Sequence, residues 1–201
     1  MKKIILLLTF LLLSANLFSK GFYDGNIQFS YGFNINENQV ITNSNSDQLL
    51  SQTSSFDMQT IHQFSPSNFI KFGFMAGFNI GFGNVFDSTL CSYENAENNF
   101  VMNGFLCIGP SLGINLLNIL KFNITPAYVL FGEVLLYDTF ASFMLSSGFG
   151  IDANIIALPK LVCSPILGYK FIVSFAESYI NDPIAITTFK NELYLGISFN
   201  W

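Results

Sequence analysis

Side chains that could perform nucleophilic or metal chemistry are few in this sequence of 201 residues. His62 is the only histidine, so a catalytic triad or a histidine metal site would have to include it. It lies three residues before a predicted tight turn at 65–68 (SPSN), which favours a structural residue near one rim of the fold. We therefore predict no catalytic residue, no metal site and no cofactor.

Cysteine chemistry is the second option. Cys91, Cys107 and Cys163 form an odd set. The side-chain pattern described below places Cys91 in a loop, Cys107 inside the fold and Cys163 on its outer surface, so no two of them should meet. The sequence predicts three free thiols.

The ionisable residues fall into two groups. Nine carboxylates occur in four polar segments, without the spacing of an EF-hand, and indicate solvated loop charges or, alternatively, a cation-binding surface. A second group of ionisable residues lies within the alternating segments described below, at the positions that are otherwise small or polar. We predict that it forms a polar network inside the fold, or else lines a narrow path, with Lys170 and Glu192 as the best pair. The carboxylates are Glu37, Asp47, Asp87, Glu94, Glu97, Glu133, Asp138, Glu177 and Asp182; the network is Lys71, Asp152, Lys170, Lys190 and Glu192, with Lys121 as a further candidate.

The elements that position these side chains are clearest in the last segment, 188–201 (TFKNELYLGISFNW). Its odd positions from Phe189 to Trp201 are mostly large and apolar, and its even positions are polar or small. A period of two is the pattern of a β-strand. Such an apolar stripe would attract other chains on a soluble edge strand, whereas lipid tolerates it.

Seven earlier segments show the same alternation, which predicts eight strands in all. The segments between them are polar at 36–55, 83–98, 132–139 and 174–187, and short at 65–68, 113–119 and 157–160. Long and short connections thus alternate, which is typical of outer-membrane barrels. We interpret Pro126 and Pro165, inside two of the strands, as bulges. The residues predicted to face lipid include Phe29, Phe72, Phe74, Phe78, Phe149, Leu195 and Ile197.

The amino terminus reads as a secretory signal peptide. Lys2 and Lys3 precede a run, 4–13, that is apolar except for Thr9, and small or polar residues follow. We expect cleavage after Ser19, or alternatively after Ala15, and a single barrel domain over 20–201. The run is shorter than the roughly 20 residues of a spanning helix.

Composition excludes one class of partner. The chain is 51% hydrophobic and 10% charged, it contains 24 Phe, and its net charge is −5. It contains no arginine. An acidic chain without arginine is not expected to bind nucleic acid.

At this point the sequence resembles the outer-membrane β-barrel family, whose last strand typically ends in an aromatic residue. The resemblance implies that Phe199 and Trp201 form the signal read by the barrel-assembly machinery, with periplasmic chaperones as further partners. Over 20–201 the pattern resembles the small barrels of the OmpA, OmpX and OmpW type. The expected fold is all-β: a closed antiparallel up-and-down transmembrane barrel of eight strands in the cell outer membrane, with short periplasmic turns and longer extracellular loops.

The expected function is a structural or surface-interaction role through the extracellular loops, with outer-membrane lipid and an unidentified extracellular ligand as partners. The alternative is a narrow channel for small polar or hydrophobic molecules, as the OmpW resemblance implies. A weaker alternative is a secreted periplasmic β-sandwich that acts as a binding module. A sandwich should carry Lys, Glu, Thr and Arg on its outward face, whereas the polar face here is mostly Gly, Ser and Asn.

Overall fold

The computed structural model describes residues 23–41, 46–65, 69–87, 92–93, 99–116, 119–137, 140–178 and 184–201. The predicted signal peptide, its cleavage site and Cys91 lie outside them. No helix within the described part of the chain is long and apolar enough to cross a membrane. The strands are β1 (Tyr23–Ile41), β2 (Ser46–Phe64), β3 (Ile70–Asp87), β4 (Ser92–Tyr93), β5 (Asn99–Leu116), β6 (Leu120–Tyr137), β7 (Phe140–Ala157), β8 (Cys163–Ser178) and β9 (Ile184–Asn200).

The eight long strands form one closed antiparallel ring. Their order is β2-β1-β9-β8-β7-β6-β5-β3, and β3 pairs with β2 to complete the circle. The two-residue β4 pairs only with the far end of β3. Closure gives edge strands a partner and satisfies backbone groups without water. This architecture confirms the predicted fold class.

Side chains alternate between a buried interior and an exposed exterior around the ring. Phe29, Phe74 and Phe78 are between 43% and 48% exposed, and Phe149 and Leu195 are 68% and 66% exposed. An exterior this apolar suits lipid and is unlike the isolated apolar residues of a soluble surface. The other predicted lipid-facing residues, Phe72 and Ile197, also point outward.

Each of the four segments predicted as long polar loops contains residues that the structure describes as strand. For 36–55, β1 continues to Ile41 and β2 begins at Ser46, and the two strands remain paired in one register. The prediction failed because β2 does not alternate in this part of the hairpin: Ser51 and Thr53 are buried inside, and the outward Gln52 and Ser54 are polar as well. The partner strand β1 remains apolar on the outside at this height, because Gln52 pairs with Ile35 and Ser54 pairs with Phe33.

The other three predicted loops are also shorter than expected. β3 continues to Asp87, β6 to Tyr137 and β8 to Ser178. The long strands contain 16 to 19 residues, roughly twice the 9–11 residues that a tilted strand needs to cross a bilayer. Among the described residues, the strands therefore extend well into the segments predicted as loops.

The predicted bulges at Pro126 and Pro165 are absent. The β5–β6 register is the same on both sides of Pro126, although the ladder is interrupted between Ile108 and Leu112. Pro110 and Pro126 lie in that interruption, so the missing N–H groups leave a gap in pairing without an inserted residue. Pro165 precedes the first β7–β8 pair, at Ile166, where no donor to β7 is needed.

One end of the barrel, called the short-turn end, carries Tyr23, Trp201 and the three short connections. Its backbone is held by hydrogen bonds between neighbouring turns. Leu158 N donates to Ile119 O at 2.6 Å, and Asn200 N donates to Val162 O at 2.9 Å. Trp201 exchanges two backbone hydrogen bonds with Gly25, at 3.2 and 3.0 Å. These bonds fix the rim around the barrel mouth.

Candidate functional site

The barrel interior contains a group of charged side chains that we call the lumen charge cluster: Asp57, Asp152, Lys170, Lys190 and Glu192. They come from β2, β7, β8 and β9, and alternation turns each of them inward. Lys170 is the direct cross-strand partner of both Asp152 and Glu192. All five are between 0% and 5% exposed. Charges buried this deeply require ion pairing and hydrogen bonds.

Lys170 is the centre of the cluster. Its ammonium forms a hydrogen-bonded ion pair with Asp57, and its Nζ lies 3.8 Å from Asp152 Oδ2 and 4.0 Å from Glu192 Oε1. The same atom lies 4.5 Å from the ring centroid of Tyr194, within range of a cation–π interaction. One cation therefore bridges three carboxylates on three strands.

Lys190 and Glu192 complete the cluster toward the outer end. Lys190 Nζ lies 3.5 Å from Glu192 Oε2 and donates to Asn79 Oδ1 at 2.8 Å. Ser55 Oγ donates to Glu192 Oε1 at 3.0 Å. Lys190 Nζ also lies 4.6 Å from the ring centroid of Phe105. These contacts connect β9 with β2, β3 and β5 across the lumen.

A layer of side-chain amides lies between the charge cluster and the short-turn end. Gln63 Nε2 donates to Asn123 Oδ1 at 3.2 Å, and Asn123 Nδ2 donates to Asn154 Oδ1 at 2.9 Å. Asn154 Nδ2 donates to Gln28 Oε1 at 3.4 Å, and Gln28 Nε2 donates to Asn26 Oδ1 at 3.0 Å. This chain of amides crosses the barrel from β2 to β1 by way of β6 and β7.

A second group of charges lies at the mouth of the short-turn end. Lys71 and Lys121 both contact the same oxygen, Oδ2 of Asp24; the Lys121 distance is 2.9 Å. Lys121 is almost completely buried, whereas Lys71 and Asp24 are partly exposed. Two ammonium groups share one carboxylate here, so the group carries an excess positive charge.

The interior also has an apolar wall on the side of β3, β5, β6 and β8. Its members include Met75, Phe105, Val129 and Ile172. A cavity of about 10 Å³ lies against this wall and Lys170, about the space that one water molecule requires. An eight-stranded barrel is just wide enough for side chains to fill. At this level, charged and apolar side chains of the described residues pack into the lumen.

Two inward-facing glycines make this filling possible. A Cβ atom at Gly32 would overlap the carboxylate of Glu192, and one at Gly168 would overlap the ring of Tyr194. Tyr194 OH donates to Asp152 Oδ1 at 2.7 Å, so the ring has a fixed place beside the cluster. The glycines therefore provide the volume in which these two large side chains lie.

His62 lies on the outside of the barrel, near the short-turn end, in an aromatic group. Its ring stacks on Phe74 with centroids 5.0 Å apart, and it lies 6.3 Å from the ring of Trp201. Nδ1 of His62 forms a hydrogen bond with the hydroxyl of Tyr23. Tyrosine and tryptophan are enriched where a membrane protein meets the water interface. His62 belongs to this interfacial group.

The structure brings four of the five predicted network residues together: Asp152, Lys170, Lys190 and Glu192. Lys71 lies apart, at the barrel mouth, because β3 begins only one residue before it. The predicted Lys170–Glu192 contact is present at 4.0 Å, but Glu192 lies nearer to Lys190. Phe199 and Trp201 are exposed at the short-turn end, and Phe199 packs edge-to-face on Phe29.

Sequence reasoning missed Asp57 as a member of the cluster. The signal that could have found it is alternation within β2, where the buried Asp57 directly follows the exposed Phe56. Glu133 was assigned to an outer loop, but it lies in β6 and is 5% exposed. Cys107 is buried and Cys163 is exposed, and both are free thiols, as their predicted facing requires.

No protein-family model matches the sequence, and no curated protein matches it either. The outer membrane protein OprG from Pseudomonas aeruginosa has a similar fold, with a TM-score of 0.52 at 6% identity; the match covers 89% of this chain and 95% of OprG. The outer membrane protein AlkL has a TM-score of 0.49 at 12% identity, covering 90% of each chain. Neisserial surface protein A has a TM-score of 0.48 at 10% identity, covering 85% of this chain and 96% of its own.

The closed ring and its exposed apolar belt define the class of protein. It is a small transmembrane β-barrel with the fold of outer-membrane barrels. At these sequence identities the similarity concerns the fold alone.

Proposed function

We propose that this barrel is a non-enzymatic outer-membrane protein that acts through the hairpins of its outer end, as a structural or surface-interaction protein. The observation that carries the proposal is the contrast between a filled lumen and long paired hairpins. The hairpin of β1 and β2 continues in register to the pair Ile41 and Ser46, well beyond Ile35, which points outward and is 44% exposed. Most residues between 36 and 49 are polar in the sequence, so the hairpin would offer a polar surface at the outer end.

Charge suggests what this surface would attract. The four outer segments, 36–55, 83–98, 132–139 and 174–187, contain nine carboxylates and no lysine. Glu133 points inward, so it does not contribute to the surface. An acidic surface steers cationic partners toward it at low ionic strength. The partner is therefore expected to present basic groups.

The assembly route is part of the same proposal. Trp201 packs over Gly25 at the place where β9 meets β1, and a Cβ atom at Gly25 would overlap its indole ring. An aromatic residue at this junction supports recognition of the last strand by the barrel-assembly machinery after delivery by periplasmic chaperones. Removal of the signal peptide at Ser19 or Ala15 would precede that step.

The test shortens one hairpin without changing its register. Residues 37–50 are replaced by Asn-Gly, which favours a two-residue turn between the paired Asn36 and Ser51. The shortened barrel should still fold in detergent, with some loss of stability because β9 loses its β1 partner over 185–189. Cells displaying it should bind a polylysine surface less than cells displaying the full-length barrel at equal surface density.

A control variant carries the polar exchange Gln52→Asn, which leaves hairpin length and charge unchanged. It should bind polylysine as the wild type does. Equal binding by the shortened and full-length barrels would contradict the surface role of this hairpin.

One observation favours a second candidate function, a lateral path for small hydrophobic molecules. β7 pairs with β6 along its whole length, 140–157, but it pairs with β8 only over 147–156. β8 continues beside β9 to Ser178. The upper part of β7 therefore separates from β8, and the apolar wall with Phe131, Met144 and Ile172 lies on the inner side.

A cross-link tests this second function. Ser147 and Phe175 are the last pair before the separation, so a Ser147→Cys/Phe175→Cys disulfide, with the native cysteines changed to serine, would hold the seam together. If the seam admits apolar molecules, oxidation should lower the uptake of a fluorescent alkane into liposomes, and reduction should restore it. Uptake that is the same in both states, or absent in both, would refute the lateral path.

A further inference from the structure

The short-turn end contains an open pocket whose chemistry differs from that of the rest of the barrel. Its volume is about 290 Å³, and its walls combine charged, amide and aromatic residues. The inward-facing ends of β1, β3, β5 and β9 provide one side, and the turn between β7 and β8 provides the other. The lining residues are Tyr23, Asp24, Lys71, Asn115, Pro159, Lys160, Asn200 and Trp201.

We propose that this pocket binds an anion of the phosphate-ester type, either the phosphate of a lipid headgroup or that of a small soluble ester. Lys71 and Lys160 line the pocket, and Lys121 joins Lys71 on Asp24. Three lysines against one carboxylate give this group a formal charge of +2. The chain as a whole has a net charge of −5, so the positive charge here is a local feature.

Hydrogen bonds fix the rim of the pocket. Leu158 has a φ of 53°, in the left-handed region, and its carbonyl accepts a hydrogen bond from Ser164 Oγ at 2.9 Å. Asn200 Nδ2 donates to Leu161 O at 2.8 Å. The turn that carries Lys160 is therefore tied to β8 and β9, which holds this lysine at the mouth.

Two further features suit a phosphate ester. A phosphate offers strong acceptor oxygens to ammonium groups. Below the mouth, Asn26 Nδ2 is buried and has no hydrogen-bond partner among the described residues; Asn26 is two residues deeper than Asp24 on the same inward face and lies beneath the lining residues. Tyr23 and Trp201 give the pocket an aromatic edge, which suits the organic part of an ester at the membrane interface.

The proposal is tested with variants that remove a positive or a negative charge from the pocket. The purified barrel in detergent is titrated with glycerol 3-phosphate and, separately, with dihexanoyl phosphatidylglycerol, and binding is followed by calorimetry. Lys71→Gln and Lys160→Gln should each weaken binding by about 2- to 5-fold, the range for a partly exposed ion pair. Asp24→Asn should strengthen binding, because the competing carboxylate is removed. Lys160→Arg keeps the charge and should bind as the wild type does.

The two probes distinguish the source of the phosphate. If both probes bind and the lysine and Asp24 variants change their affinities as expected, the pocket recognises the phosphate group itself. If only the lipid binds, with the same changes in affinity, the pocket recognises lipid headgroups. Each outcome supports an anion pocket. Binding of neither probe, or binding that Lys71→Gln, Lys160→Gln and Asp24→Asn all leave unchanged, would overturn the proposal. The stability of Lys160→Gln in detergent is measured as a control. Because Lys160 lies on an exposed turn, its stability should be unchanged, which would show that weaker binding does not result from misfolding.

Discussion

Replacing the central lysine of the lumen charge cluster, Lys170→Met, should destabilise the barrel strongly. Lys170 faces Asp57, Asp152 and Glu192 within 4.0 Å, and methionine keeps most of its length while it removes the charge. Three buried carboxylates would then remain with Lys190 alone. Removing one partner of a buried ion pair typically costs about 3–5 kcal/mol, and we expect a loss in that range.

The assay is reversible urea unfolding of the barrel in detergent micelles. Trp201 is the only tryptophan and packs at the β9–β1 junction, so its fluorescence reports the opening of the ring. The double variant Lys170→Met/Asp57→Asn should recover part of the loss, because it removes the nearest unpaired carboxylate. Lys160→Met, on an exposed turn, should change the free energy of unfolding by less than about 0.5 kcal/mol.

A loss below about 1 kcal/mol for Lys170→Met, or no recovery in the double variant, would refute the role of Lys170 as the bridge. It would indicate that water enters the lumen and solvates the carboxylates.

Three other predictions follow from the exterior, the interior and the strand junction. Phe78→Arg, in the apolar belt, should lower the free energy of unfolding in bilayers by about 2–4 kcal/mol, whereas Phe100→Arg, near the outer end of β5, should lower it by at most about 1 kcal/mol. Both are measured by urea unfolding in vesicles, and equal losses would place the belt elsewhere. Gly168→Ala should cost about 1–3 kcal/mol in the same assay, because its methyl group overlaps Tyr194, and an unchanged midpoint would mean that the ring can move. Trp201→Ser should reduce the amount of assembled barrel in cells more than it reduces detergent stability; equal surface levels would contradict an assembly role.

The parts of the fold that alternate cleanly could be predicted from the sequence, because lipid on one side and a packed lumen on the other impose opposite requirements on successive residues. This is why Phe74, Phe78 and Leu195 were assigned to the outside and Lys170 and Glu192 to the inside. The hairpin over 36–55 could not be predicted in this way. In β2 the outward Gln52 and the inward Thr53 are both polar, so this strand shows no alternation there, although its partner β1 keeps Ile35 on the outside.

The composition of the charge cluster was predictable only in part. Lys170 and Glu192 lie on consecutive strands, so their cross-strand contact follows from local pairing. Asp57 reaches Lys170 across the barrel from β2, and that contact depends on closure and on the stagger of the strands. Neither property can be read from the spacing of residues, which is why the shortest ion pair of the cluster was missed.

Single-channel recording in planar bilayers tests most directly whether the described side chains block the lumen. The wild-type barrel should show no steady conductance, only rare small events, because the charge cluster, the amide layer and the apolar wall fill its interior. Glu192→Ala, which removes a side chain bonded to Ser55 and paired with Lys190, should increase the leak. Steady conductance in the wild type that Glu192→Ala leaves unchanged would contradict a filled barrel and would favour a channel.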